Sequence, residues 1–161
     1  MNNDFNKILI NNFHKLHKPS ISNATIRKII FGVLHNENCR LDFLFINFVS
    51  DKDIRKINKK YLNHDYPTDI IVFPYDSTPE SLEAEFIISL DRVRANALRY
   101  RCSLRNELAR VIVHGCLHLS GYNDKSSRQK ELIRSMENFY LSNIPELHKF
   151  YRNFNDQISK C

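Results

Sequence analysis

SLRNELARVIVHGCLHLSGYNDK, Ser103 to Lys125, combines a helix signal, a helix stop and a set of metal-ligating side chains. Leu104, Leu108, Val111 and Ile112 recur at the spacing of one helix face, so this segment is expected to bury a stripe against a core. His114 and His118 lie one turn apart at the edge of that stripe. Both imidazoles can therefore reach one ion from the same face. Gly121 is one of only three glycines in the chain. Just past a helix end it takes the left-handed conformation that stops the helix, turning Tyr122 to Asp124 back toward the histidines. His114, His118 and Asp124 are thus the candidate metal ligands. Two imidazoles, one carboxylate and a position left for water match a catalytic site, whereas structural zinc is usually closed by four cysteine-rich ligands.

An ordinary amphipathic helix also produces histidines at this spacing, and H-x-x-x-H alone is a weak signal. The edge position favours the metal reading, because histidines at the border of a core line clefts. Gly115 falls within the stripe, where a missing side chain permits close packing. It also excludes the zinc-protease arrangement, in which the residue after the first histidine is the glutamate that activates water. Cys116 points away from both histidines and reads as packing.

Outward from this helix the chain alternates strands and helices. Lys7 to Phe13 reads as a first strand, and Ile26, Ile29, Ile30, Val33 and Leu34 mark a helix. Leu41 to Val49 is dense in branched and aromatic residues, the pattern of a buried strand. Ser50 and Asp53 open a short helix carrying Ile54, Ile57 and Tyr61. Asp69 to Phe73 and Phe86 to Ser89 read as strands, the first ended by Pro74. Helices follow from about Asp91 to Tyr100, Ser103 to Leu119 and Ser127 to Leu141. The fold class expected is α/β (α+β), a small mixed sheet packed with helices. One domain over residues 1–161 is expected, with 142–161 as a C-terminal extension in which Pro145 opens a further helix or a frayed end.

No run of about 18 apolar residues exists, and the N-terminus lacks a signal-peptide pattern. The four cysteines, Cys39, Cys102, Cys116 and Cys161, form no C-x-x-C pair. That usage fits a reducing cytoplasm better than a disulfide framework. The formal net charge is +6. Arg92, Arg94, Arg99, Arg101, Arg105 and Arg110 crowd the approach to the metal helix, opposed only by Asp91 and Glu107. A solvated helix face is the ordinary explanation of such a cluster. Beside a hydrolytic metal site, it is also the surface a polyanion requires.

HGCLHLSGYND resembles the signature of the YbeY family of bacterial endoribonucleases, H-G-x-L-H-x-x-G-Y-D-H, agreeing at His114, Gly115, Leu117, His118, Gly121 and Tyr122. YPTDIIVFPYD, Tyr66 to Asp76, resembles the family's P-T-D/N-V-L-S-F-P strand. EFIISLDRVRANA, Glu85 to Ala97, resembles its G-D-I-x-I-S-x-D-x-V segment. The three blocks occur in the family's order, and the similarity spans about Phe43 to Tyr140.

The resemblance implies a metal-dependent endoribonuclease that matures the 3′ end of 16S ribosomal RNA and serves ribosome quality control in the cytoplasm. The implied cofactor is one Zn²⁺ on His114, His118 and Asp124, with RNA and the small ribosomal subunit as partners. Two departures stand out. Asp124 replaces the family's third histidine, which lowers the charge of the ion with its ligands and makes bound water less acidic. Two histidines and a carboxylate also suit iron(II), so other divalent ions stay open. Leu62 stands where the family typically has an arginine, whose role would pass to Lys59, Lys60 or His64 or be lost. Besides His114, the candidates for proton transfer are Asp69, His64 and Asp91. Arg92, Arg94, Arg99, Arg101, Lys59 and Lys60 are the expected RNA contacts. Two other functions remain open on sequence: a weakly catalytic ribosome-assembly factor with a structural metal, and a metalloprotease-like hydrolase.

Overall fold

The computed structural model describes residues 4–143; the tail after Pro145 and Cys161 lie outside them. After a 3₁₀ turn at Asp4–Lys7, the elements are β1 (Ile8–Asn12), α1 (Asn23–Asn36), β2 (Leu41–Val49), α2 (Asp51–Leu62), β3 (Ile70–Thr78), β4 (Ser81–Ser89), α3 (Leu90–Tyr100), α4 (Leu104–Leu119) and α5 (Ser127–Asn143). The strands form one mixed sheet in the order β1-β2-β4-β3, with β1, β2 and β4 parallel and β3 antiparallel to β4. This is the α/β arrangement expected from the alternating pattern.

Helices α1, α3, α4 and α5 cover one face, where Ile26, Ile30 and Val33 meet Leu44, Ile46, Phe86 and the stripe of Leu108, Val111 and Ile112. On the other face α2 seals a smaller cluster of Ile54, Val49, Ile71 and Ile87. Serines begin all five described helices: Ser22, Ser50, Ser89, Ser103 and Ser126 accept backbone N–H bonds from Thr25, Asp53, Arg92, Asn106 and Gln129. Each satisfies one amide that an α-helix leaves without a partner.

Pro74 does not end its strand. β3 continues to Thr78, and β4 begins at Ser81 rather than at Phe86, so the two form a longer hairpin than expected. β3 is an edge strand, and its register against β4 shifts between Pro74 and Asp76. An edge needs ladder partners on one side alone, and the bulge absorbs the missing proline donor.

Gly115 sets how closely α4 lies on the sheet. A Cβ there would stand 2.8 Å from Ile70 Cδ1 and 2.9 Å from the Phe86 ring. The bare glycine lets the helix settle against β3 and β4, bringing the neighbouring His114 to the start of β3. Cys116 is fully buried, and burial raises its thiol pKa well above the usual range. Its role is packing, as its helical angle suggests.

Candidate metal centre and its clefts

His114 and His118 project from the last two turns of α4 with their rings 4.4 Å apart and nearly perpendicular. Each ring is held at Nδ1. His114 Nδ1 lies 2.6 Å from Glu137 Oε1 on α5, and His118 Nδ1 lies 3.0 Å from the carbonyl of Tyr122. A carbonyl only accepts, so His118 Nδ1 carries the proton; an ionised Glu137 imposes the same tautomer on His114. Both neutral rings then present a bare Nε2, and these two atoms face each other at 2.9 Å. Two lone pairs at that distance require a cation or a proton between them. The donor set thus fits a metal, each imidazole having its other nitrogen engaged as metal-bound histidines do. Burial, followed by the neighbouring His114, lowers the pKa of His118 and favours the neutral, ligating form.

Asp124 closes the group. Gly121, at φ +95°, turns the chain after Ser120, and Asp124 Oδ2 comes to 3.9 Å from His118 Nε2. One ligand atom from each of His114, His118 and Asp124 falls within 4.8 Å of the others.

The three residues open onto a cleft of about 650 Å³ whose other walls include Asn58, Leu62, His64, Tyr66, Thr68 and Asp69. Asp69 precedes β3; its Oδ1 accepts the Ile70 amide and its Oδ2 binds Arg110 at 3.0 Å. His64 stacks on Tyr66, with ring centres 5.2 Å apart. Leu62 lines this wall and is half exposed. A second cleft, of about 590 Å³, shares His114, Asp124 and Asp69 and continues past Tyr100, Arg110, Lys130, Arg134 and Glu137. The histidine and carboxylate group therefore stands where a groove walled by His64 and Tyr66 meets one that carries Lys130 and Arg134.

A family model described as endoribonuclease YbeY matches residues 10–145. The chain belongs to the endoribonuclease YbeY family. Relatives of that name include one from Chloroherpeton thalassium, 44% identical over 128 residues that cover 80% of this chain and 90% of the relative. Another, from Amoebophilus asiaticus, is 40% identical over 136 residues, covering 83% and 90%. The fold is also that of a Thermotoga maritima protein solved in solution, with TM-score 0.59, 18% identity and coverage of 95% and 96%.

Several residues singled out from sequence fall elsewhere. Asp91 lines neither cleft; it accepts from His14 Nε2 at 2.9 Å and from the Asp51 amide at 2.8 Å, and so joins β4–α3 to the start of α2. Its carboxylate is held at that junction, outside the clefts that reach His114. Arg92 is bound by Asp51, with Nε 2.8 Å from its carboxylate. Arg110 sits in a carboxylate cage of Glu107, Asp69 and Glu137. Burial opposes its charge, but these carboxylates prevail and its pKa is raised. Lys59 pairs with Asp65, and Lys60 lies over the Tyr61 ring. Arg94, Arg99 and Arg101 are exposed outside the two clefts. Sequence reasoning missed Glu137, Lys130 and Arg134, all on α5. Lys130 and Arg134 carry a signal, one helical turn of like charge on the helix that follows the metal motif.

Proposed function

We propose that this YbeY-family protein is a cytoplasmic, metal-dependent endoribonuclease acting on single-stranded RNA, with the 3′ end of 16S ribosomal RNA as substrate and ribosome quality control as its setting. The observation that carries this reading is the pair of Nε2 atoms facing each other, with both Nδ1 atoms engaged and Asp124 beside them. His114, His118 and Asp124 would hold the ion, zinc being the first choice for this donor set. When bound, it supplies Lewis acidity at a phosphoryl oxygen and lowers the pKa of a water.

The chain's own residues do the remainder. An RNA strand follows the two clefts, its scissile phosphate at the shared His114, Asp124 and Asp69. Unpaired bases meet the exposed ring faces of His64 and Tyr66, which favours a single strand over a duplex whose bases are already stacked. Lys130 and Arg134 attract the flanking phosphates. Asp69, held by Arg110 and the Ile70 amide, and His64 in the opposite wall are the groups that can take or return a proton at the reacting oxygens. Gly115 stands where the zinc-protease motif carries its catalytic glutamate, so the protease-like alternative lacks its characteristic base at that position.

The test is cleavage of a ribosomal RNA fragment by purified protein, with and without a chelator. The wild type should cut and stop cutting when stripped of metal, while His114→Ala binds RNA almost normally and does not cut. Equal residual cleavage by wild type and His114→Ala would assign the activity to a contaminant and leave an RNA-binding assembly factor as the better reading.

A further inference from the structure

Glu37 caps the C-terminus of α1, far along the chain from the metal motif. Its backbone is fixed by an N–H bond to the Val33 carbonyl, at the end of a helix whose Ile29, Ile30, Val33 and Leu34 are buried in the main core. From this anchor its carboxylate receives two hydroxyl hydrogen bonds, from Tyr122 at 3.1 Å and from Tyr140. These tyrosines belong to the two arms that orient the imidazoles. Tyr122 offers the carbonyl that holds His118, two residues before Asp124. Tyr140 lies one turn past Glu137, which holds His114, on the same buried side of α5. Tyr140 is nearly inaccessible at 3% exposure, so its hydroxyl depends on this partner. Burial and the Glu37 carboxylate raise the pKa of the Tyr140 phenol, keeping it protonated as a donor. A single carboxylate on α1 thus links the loop after Gly121 to α5.

We propose that Glu37 is a positioning residue for the metal centre: by tying Tyr122 and Tyr140 to one anchor it fixes the spacing of His114, His118 and Asp124 and so sets affinity for the ion. This rests on the metal reading above. Glu37 touches neither histidine and acts through the two tyrosines.

Zinc affinity of the full chain, measured by competition with a chromophoric chelator, tests it without any RNA. Glu37→Ala should weaken zinc binding by up to about 10-fold, the low end of the range for groups that contact a metal's ligands directly, because Glu37 stands one step further out. Glu37→Gln should recover most of the loss, since its amide oxygen accepts one hydroxyl and its amide N–H donates to the other. Tyr122→Phe and Tyr140→Phe should each lose part, and Tyr122→Phe should add little in the Glu37→Ala background. Imidazole nitrogen-15 shifts of the metal-free protein should also change in Glu37→Ala, reporting reoriented rings. Wild-type affinity in Glu37→Ala would overturn the inference. If that variant does not fold, wild-type affinity in both tyrosine variants overturns it equally. Failure of the wild type to bind zinc would sink the metal reading together with this one, whereas zinc binding indifferent to Glu37 and both tyrosines would sink this one alone.

Discussion

Glu137 is 6% exposed and spends its carboxylate on a histidine rather than on solvent. A carboxylate this buried is retained only with partners of opposite charge or strong donors. Here they are His114 Nδ1 and, at 3.7 Å, Arg110. Glu137→Ala frees the His114 ring to rotate and to exchange tautomers, so metal affinity should fall about 10- to 100-fold, with Glu137→Gln losing less because its carbonyl still accepts. Chelator competition checks this, and unchanged affinity in Glu137→Ala would mean that packing alone orients His114. The sequence marks Glu137 only as a residue four positions after Ile133. Helical periodicity identifies the buried side of α5, but not the polar group across the interface that a residue there meets. His114, His118 and Asp124 were legible because spacing along one helix and one glycine turn governs their approach. Glu137 and Tyr140 come from α5 and Glu37 from the end of α1, and no local pattern encodes how these meet the end of α4.

At the level of elements, α4 and its seat on the sheet decide where His114 stands. The stripe and the glycine stop were readable because both are local properties of the chain. The contact beneath Gly115 was not, since Ile70 and Phe86 come from two strands whose pairing the sequence does not state. Pro74 misled for a related reason: proline ends a central strand, but whether a strand is central or an edge depends on the order of all four. Gly115→Ala drives a methyl into the fully buried Phe86 ring, which has little room to yield, and into the tip of Ile70. The helix or the ring must shift, at a cost of about 1–3 kcal/mol, the usual range for overpacking. Denaturant unfolding should record that loss as a lower midpoint, and RNA cleavage should fall further than stability does because His114 moves with the helix. A variant as stable and as active as wild type would mean that the interface has slack.

Across the whole molecule, the arginine cluster ahead of the metal helix is less available than its sequence suggests. Arg110, placed by sequence among a basic cluster, is consumed by three carboxylates, and Arg92 is consumed by Asp51. Asp51, Asp69 and Glu137 are remote in sequence, so a count along the helices finds only Asp91 and Glu107 opposing. The cations that line the cleft beyond His114 are instead Lys130 and Arg134 on α5. Each phosphate neutralised on a single strand contributes about 0.7 to the slope of log affinity against log salt. Replacing both Lys130 and Arg134 by alanine should therefore weaken RNA binding and make that slope shallower by about 1.4. Arg92→Ala should leave the slope nearly unchanged, because its guanidinium already has an anionic partner within the protein. Arg110→Ala should destabilise the fold rather than alter the slope, since it strips Glu107, 2% exposed, of its countercharge. Binding of a single-stranded fragment titrated at several salt concentrations separates these cases. A full slope in the Lys130→Ala/Arg134→Ala pair, with a reduced slope in an Arg94→Ala/Arg101→Ala pair, would shift the RNA path from the second cleft to the outer face of α3.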